Sequence, residues 1–169
     1  MRILGIDPGY AILGYGIVEM HQNKLHLLGY GAIKTESDMD MPNRLKCLYT
    51  GLMDAINEYD PQAASVEELF FNSNAKTALL VGQARGAALL ACINSGLKIY
   101  EYTPLQIKQG LTGYGRADKK QMQMMVKTLL RLKDIPKPDD AADALAAAIC
   151  HAHSAERIDR LEKVLNHQL

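Results

Sequence analysis

Arg2-Ile3-Leu4-Gly5-Ile6-Asp7-Pro8-Gly9 opens the chain with a short apolar run that closes on an acid, a proline and a glycine. The run is too short for a helix and is bounded by turn formers, so it predicts a buried β-strand followed by a turn. Leu13 to Met20 and Leu25 to Thr35 follow closely, rich in Tyr, Ile, Val and Leu, with Gln22-Asn23 marking the turn between them. Three strands joined by short loops predict an antiparallel meander.

Farther along, Glu36, Asp38 and Asp40 form a solvated acidic loop, and Leu45, Leu48, Leu52, Ile56 and Tyr59 recur at helical spacing. Ala63 to Val66 is a fourth, short strand ending at Glu67-Glu68. Asn74 caps a long helix to about Ser95, which Gly96 stops. Leu97 to Tyr102 is a fifth strand, Pro104 opens a helix, and Gly110 to Gly115 is a Gly-rich bend. Asp118 caps the next helix, to about Leu132; Ile135-Pro136-Lys137-Pro138 is a stiff connector, and Asp139 or Asp140 starts an Ala-rich helix. The predicted class is α/β: a mixed five-stranded sheet, an antiparallel meander with parallel strands added through crossover helices, flanked by helices. One domain over residues 1–153 is expected, then a helical tail, 154–169, striped by Ile158, Leu161 and Leu165.

The chain of 169 residues is 48% hydrophobic and 22% charged, which excludes the disordered and collagen-like classes. No stretch reaches the ~18 uninterrupted apolar residues of a membrane span, and Asp7 comes too early for a signal peptide, so no membrane partner is expected. Cys47, Cys92 and Cys150 lack the paired spacing of a zinc site and sit in apolar runs. They read as small core residues in a reducing, cytoplasmic setting. Net charge is zero, which argues against a nucleic-acid partner only as an average. Residues 105–137 hold eight basic and two acidic residues, a balance of +6. Residues 1–104 (eight basic, 11 acidic) and 138–169 (three basic, six acidic) carry −3 each. The basic segment is a polyanion footprint.

Asp7 and Glu67 both end apolar strands. If those strands are parallel neighbours, both acids lie at the carboxyl edge of the sheet, where open α/β folds place ligands. Alternation puts Glu67 and Glu68 on opposite faces, so only one is a ligand, and spacing alone leaves the choice open. Asp140 and Asp143 are three apart at a helix start and share a face. Each acid alone reads as readily as a turn former or helix cap; their joint placement points to chemistry. Converging carboxylates repel and shift one another's pKa, and a hard divalent cation relieves this. The chemistry inferred is metal-assisted phosphodiester hydrolysis, with paired Mg²⁺ activating a water and stabilising the leaving oxygen.

Lys108, Arg116, Lys119 and Lys120, around the Gly-rich bend, are candidate DNA contacts, whereas Lys127 and Arg131, four apart, read as a solvated helix face. Phe70, beside the acidic centre, is a candidate to wedge or stack on an unpaired base.

Ile3-Leu4-Gly5-Ile6-Asp7-Pro8-Gly9 with Gly14-Tyr15-Gly16, Val66-Glu67-Glu68-Leu69-Phe70, Gly82-Gln83-Ala84-Arg85-Gly86 and Asp140-Ala141-Ala142-Asp143-Ala144-Leu145-Ala146 together resemble the RuvC family of bacterial Holliday-junction resolvases, from residue 2 to about His153. The resemblance implies a ribonuclease H-like fold, a homodimer, and Mg²⁺-dependent paired nicking of four-way junction DNA in recombination and repair. It implies two Mg²⁺ per subunit, with Mn²⁺ able to substitute, and a branch-migration motor as partner. It puts the family's four catalytic, metal-holding acids on Asp7, Glu67, Asp140 and Asp143, choosing Glu67 over Glu68. It matches Phe70 to the base-contacting aromatic and Lys108 and Lys119 to DNA-contacting lysines. Where the family often has Gln after the catalytic Glu, this chain has Glu68, an added negative charge.

Two other classes share part of this pattern. Gly-Ile-Asp-x-Gly also opens the phosphate loop of actin-like ATPases and sugar kinases, but those need two related domains and a second phosphate loop. A non-catalytic nucleic-acid-binding module would not retain all four acids.

Overall fold

The computed structural model describes the backbone of residues 1–68 and 75–166 and the side chains of residues 1–68 and 76–155. Its elements are β1 (Arg2–Asp7), β2 (Ile12–His21), β3 (Lys24–Lys34), α1 (Met41–Tyr59), β4 (Ala63–Glu67), α2 (Ala75–Asn94), β5 (Lys98–Tyr102), α3 (Pro104–Thr112), α4 (Lys119–Leu129) and α5 (Asp139–Asn166). The strands form one five-stranded sheet in the order β3-β2-β1-β4-β5. β1 pairs antiparallel with β2 and parallel with β4, and β4 pairs parallel with β5. The mixed α/β sheet expected from the sequence is therefore present, with β1 at its centre.

The apolar opening run is explained by that central position. Ile3, Leu4 and Ile6 are fully buried, because β1 has a core on each face. Leu4 and Ile6 join Leu13, Ile17, Leu48, Leu52 and Ala88 on the side covered by α1 and α2. Ile3 joins Val18, Ile107, Val126, Leu145 and Ile149 on the side covered by α3, α4 and α5.

Three glycines let α5 lie directly on the sheet. Gly5 stands opposite Gly16 across β1 and β2, and Gly14 stands opposite Asp7. A Cβ on Gly5 would overlap the Ala144 carbonyl oxygen, and one on Gly14 would overlap the Asp140 carbonyl. At Gly16 it would press into the Leu145 side chain at 2.5 Å. Buried Ser65 adds a tie from β4, its hydroxyl donating to the Ala147 carbonyl at 2.7 Å.

Local rules set the helix starts. Asp40 caps α1 by accepting from the Asn43 N–H, and α3 and α4 begin with reciprocal capping boxes, Thr103 with Gln106 and Asp118 with Gln121. The cap expected at Asn74 lies outside the described residues. The Gly-rich bend is shorter than expected, since Gly110 continues α3 and the turn comes at Gly113, with φ 78°. Lys127 and Arg131 do not share a helix face. α4 stops at Leu129, and Arg131 takes a left-handed φ of 53° as the Leu132 N–H donates to the Lys127 carbonyl. Cys92 and Cys150 are buried as expected, but Cys47 is only half-buried, its thiol near the Lys34 carbonyl. Residues 153 and 154, the expected domain–tail boundary, both lie within α5.

α2 exposes apolar side chains, Leu79 at 64%, Leu90 at 52% and Ile93 at 60%. Among the described residues, Lys76–Asn94 is long and apolar enough to cross a membrane by composition. Lys76 and Arg85 break that stretch, so it is not an uninterrupted apolar run in the sequence.

Gly5→Ala and Gly14→Ala force a methyl group into helix backbone that cannot rotate aside. Each is expected to cost about 1–3 kcal/mol or more, read as a lower midpoint in urea. Unchanged midpoints would mean that α5 is not seated on the glycines.

Candidate active site

Alternation along the strands decides which acids meet. On β1, Ile3 and Gly5 face α5, so Asp7, two residues on, does too. On β4, Ser65 bonds α5, so Glu67 lies on that same face. Val66 faces the α1–α2 core, and the Glu68 N–H extends the ladder to the Tyr102 carbonyl at 2.8 Å. The pleat therefore puts Glu67 on the face that Asp7 takes. Asp140 and Asp143 come from the first turns of α5, whose backbone at residue 140 rests over Gly14, the β2 partner of Asp7.

The structure brings Glu67 and Asp143 into one cavity of about 230 Å³, lined also by Pro104, Ile107, Lys108, Lys119 and Met122. Asp7 and Asp140 do not line it, yet both belong to the same charge cluster. Burial first, then the negative charges of Asp143, Asp140 and Glu67, push the Asp7 carboxyl up to about 7, with the Lys119 ammonium opposing. Burial and Asp143 raise Glu67, opposed by Lys108. Burial raises Asp143 as well, although Lys119 pulls it down.

Lys119 is the first residue of α4. Its ammonium lies 3.0 Å from Asp139 and 3.5 Å from Asp143. Gln123, one turn on, donates to Asp139 at 3.1 Å. The sequence marks Lys119 as a candidate contact and Asp139 only as a helix start, and gives Gln123 no role. The available signal was the four-residue spacing of Lys119 and Gln123, which puts both on one face of α4. Lys120 and Arg116 are exposed and do not line the cavity. Phe70 lies outside the described residues.

Among the described residues, no three His, Cys, Asp or Glu side chains close up into a ready-made metal cluster. The donor set still suits a hard, hydrated divalent cation. All four groups are carboxylates, and burial together with the negative charges of its neighbours raises the Asp7 carboxyl to about 7. Mg²⁺ keeps several of its waters and is satisfied by one or two carboxylates plus substrate phosphate, so a loosely gathered set fits it. Asp7, Glu67, Asp140 and Asp143 are the residues able to hold such an ion.

The family profile of crossover junction endodeoxyribonuclease RuvC matches residues 3–151. The crossover junction endodeoxyribonuclease RuvC of Caldanaerobacter subterraneus is 57% identical over 161 residues, covering 95% of this chain and 98% of that protein. That of Alkaliphilus oremlandii is 62% identical over 154 residues, covering 91% and 94%. The structure of Thermus thermophilus RuvC superposes with a TM-score of 0.86 at 37% identity, covering 93% of this chain and 96% of that one. RuvC of the same organism in complex with a Holliday junction substrate matches with a TM-score of 0.85. With the profile spanning nearly the whole sheet and the first half of α5, the chain belongs to the RuvC family of crossover junction endodeoxyribonucleases.

Proposed function

We propose that this chain resolves four-way DNA junctions by paired nicking of opposed strands, with Asp7, Glu67, Asp140 and Asp143 as the catalytic, metal-holding acids. The observation that carries the reading is the charge cluster at one sheet edge, where burial and three neighbouring carboxylates hold Asp7 at about 7. RuvC-family nucleases are metal-dependent; the form inferred for this chain is two Mg²⁺ per subunit, replaceable by Mn²⁺. Bound to these acids, such ions would supply an activated water and stabilise the leaving oxygen of the phosphodiester. The protein supplies the rest. Asp7 and Glu67 are fixed by the sheet, and Asp140 and Asp143 by one helix end, so substrate binding need not order them. Lys108 and Lys119 bring ammonium groups to the same cavity and counter the phosphate charge. Arg116 and Lys120, exposed beside them, extend that basic surface along the DNA, and Phe70 is the inferred base contact.

A four-way junction has two-fold symmetry, and an isologous homodimer presents two equivalent sites to it. Exposed Leu79, Leu90 and Ile93 on α2, with Gly82 and Gly86 open on the same helix, support that helix as the dimer surface. Family membership supports a branch-migration motor as protein partner, and three free cysteines support a cytoplasmic setting.

Purified chain with Mg²⁺ is expected to nick a synthetic four-way junction and leave linear duplex largely intact. Asp7→Asn, Glu67→Gln, Asp140→Asn and Asp143→Asn each lower cleavage at least about 100-fold while gel-shift binding of the junction survives, a loss typical of removing transition-state charge stabilisation. Glu68→Gln keeps cleaving. Equal cutting of plain duplex, or an active Glu67→Gln, overturns the reading.

The raised Asp7 carboxyl makes a second prediction. In the metal-free protein it stays protonated to higher pH than in the unfolded chain, so its contribution to stability falls as pH rises from about 4 to about 7. Asp7→Asn removes this loss and stabilises the metal-free chain at pH 8 by on the order of 2 kcal/mol. Mg²⁺ narrows the gap by stabilising the wild type. Melting temperatures at pH 5 and pH 8, with and without chelator, test both statements.

Lys108→Ala and Lys119→Ala should weaken junction binding in a salt-sensitive way. The log–log slope of affinity against salt becomes shallower by about one per lost phosphate contact. An unchanged slope returns these lysines to a role in the protein alone.

A further inference from the structure

Lys119 is shared between two carboxylates, only one of which belongs to the proposed catalytic set. The shorter contact, 3.0 Å, is to Asp139, and the longer, 3.5 Å, is to Asp143. Asp139 is also held on its other oxygen by Gln123. Two side chains one turn apart on α4 therefore grip a single exposed carboxylate in the first turn of α5. Nothing in the nicking chemistry uses Asp139, yet it has the firmer hold on the cavity's lysine.

We propose that Asp139 is a positioning residue that draws the Lys119 ammonium away from Asp143, and so sets how strongly a resident cation competes with divalent metal for the acid cluster. The inference rests on reading Asp7, Glu67, Asp140 and Asp143 as metal-holding. An ammonium against Asp143 neutralises a carboxylate that the metal needs. Asp139 offers that ammonium a second, solvent-facing partner. With the charge on Asp139 removed, Asp143 is left as the carboxylate within reach of Lys119, and metal must displace a tighter ion pair. With the charge on Lys119 removed, the competition disappears.

The loss of any negative charge near the cluster also weakens metal binding, so the effect of Asp139 is measured with and without Lys119. Mn²⁺ binding to the full-length, DNA-free chain, followed by the electron paramagnetic resonance signal of free Mn²⁺, reads the competition without any cleavage. Lys119→Met is expected to tighten Mn²⁺ binding, and Asp139→Asn to weaken it, each by about threefold, as fits a partly exposed ion pair. In the Lys119→Met background, Asp139→Asn then has a clearly smaller effect than it has alone. Asp139→Ser removes the same charge with a different side chain and repeats the measurement independently. If Asp139→Asn weakens Mn²⁺ equally in both backgrounds, Asp139 acts by its own field and the proposal is overturned; unchanged affinity in the single variant overturns it too. Asp143→Asn checks the underlying reading separately. Wild-type Mn²⁺ affinity in that variant would remove Asp143 from the metal-holding set, whatever Asp139 does.

Discussion

The close seat of α5 on Gly5, Gly14 and Gly16 is the constraint on which the rest depends. Side chains at those positions would lift the helix off the sheet, and they would lift its first turns away from the end of β1. Two acids belong to the sheet and two to the helix, so their meeting is a matter of layer spacing. Ser65, bonded to the Ala147 carbonyl, fastens β4 to the same helix and fixes which face Glu67 takes. Packing between the two layers is therefore the origin of the charge cluster.

Much of this was legible in the sequence because short apolar runs with turn formers at their ends leave few alternatives. The opening strand, the meander and the two crossover helices follow from period and punctuation alone. Asp7, Glu67, Asp140 and Asp143 were visible as acids at strand ends and at a helix start. What escaped was contact information. Gly14 and Gly16 were visible as a motif, but their reason lies in a helix more than a hundred residues away. The same holds for Asp139, which looked like a spare helix cap and turns out to hold Lys119 from another element. Arg131 escaped for a different reason: a non-glycine residue took the left-handed position that closes α4, and no local signal marked the stop.

The neutral total charge resolves into parts that meet in one place. The basic excess of residues 105–137 includes Lys108 and Lys119, which enter the cavity beside Glu67 and Asp143. Acidic and basic segments distant in sequence are thus folded onto a common edge. There burial, and then the charges of Asp143, Asp140 and Glu67, raise the Asp7 carboxyl, with Lys119 opposing. Neutrality of the whole chain coexists with a steep local field, which is what attracts a divalent ion and lets a polyanion approach it.

α5 runs for 28 residues, about 42 Å at the usual rise, and carries two of the acids at one end. Asp140 and Asp143 ride on a single rigid rod, whereas Asp7 and Glu67 are part of the sheet. An ion held between them would be a rivet across the joint of two layers. Its binding would be felt along the whole rod, slowing the local opening of amides in the helix far from the carboxylates themselves. The proposed metal site would in that sense also be a structural fastening, and loading it would stiffen the molecule as well as arm it.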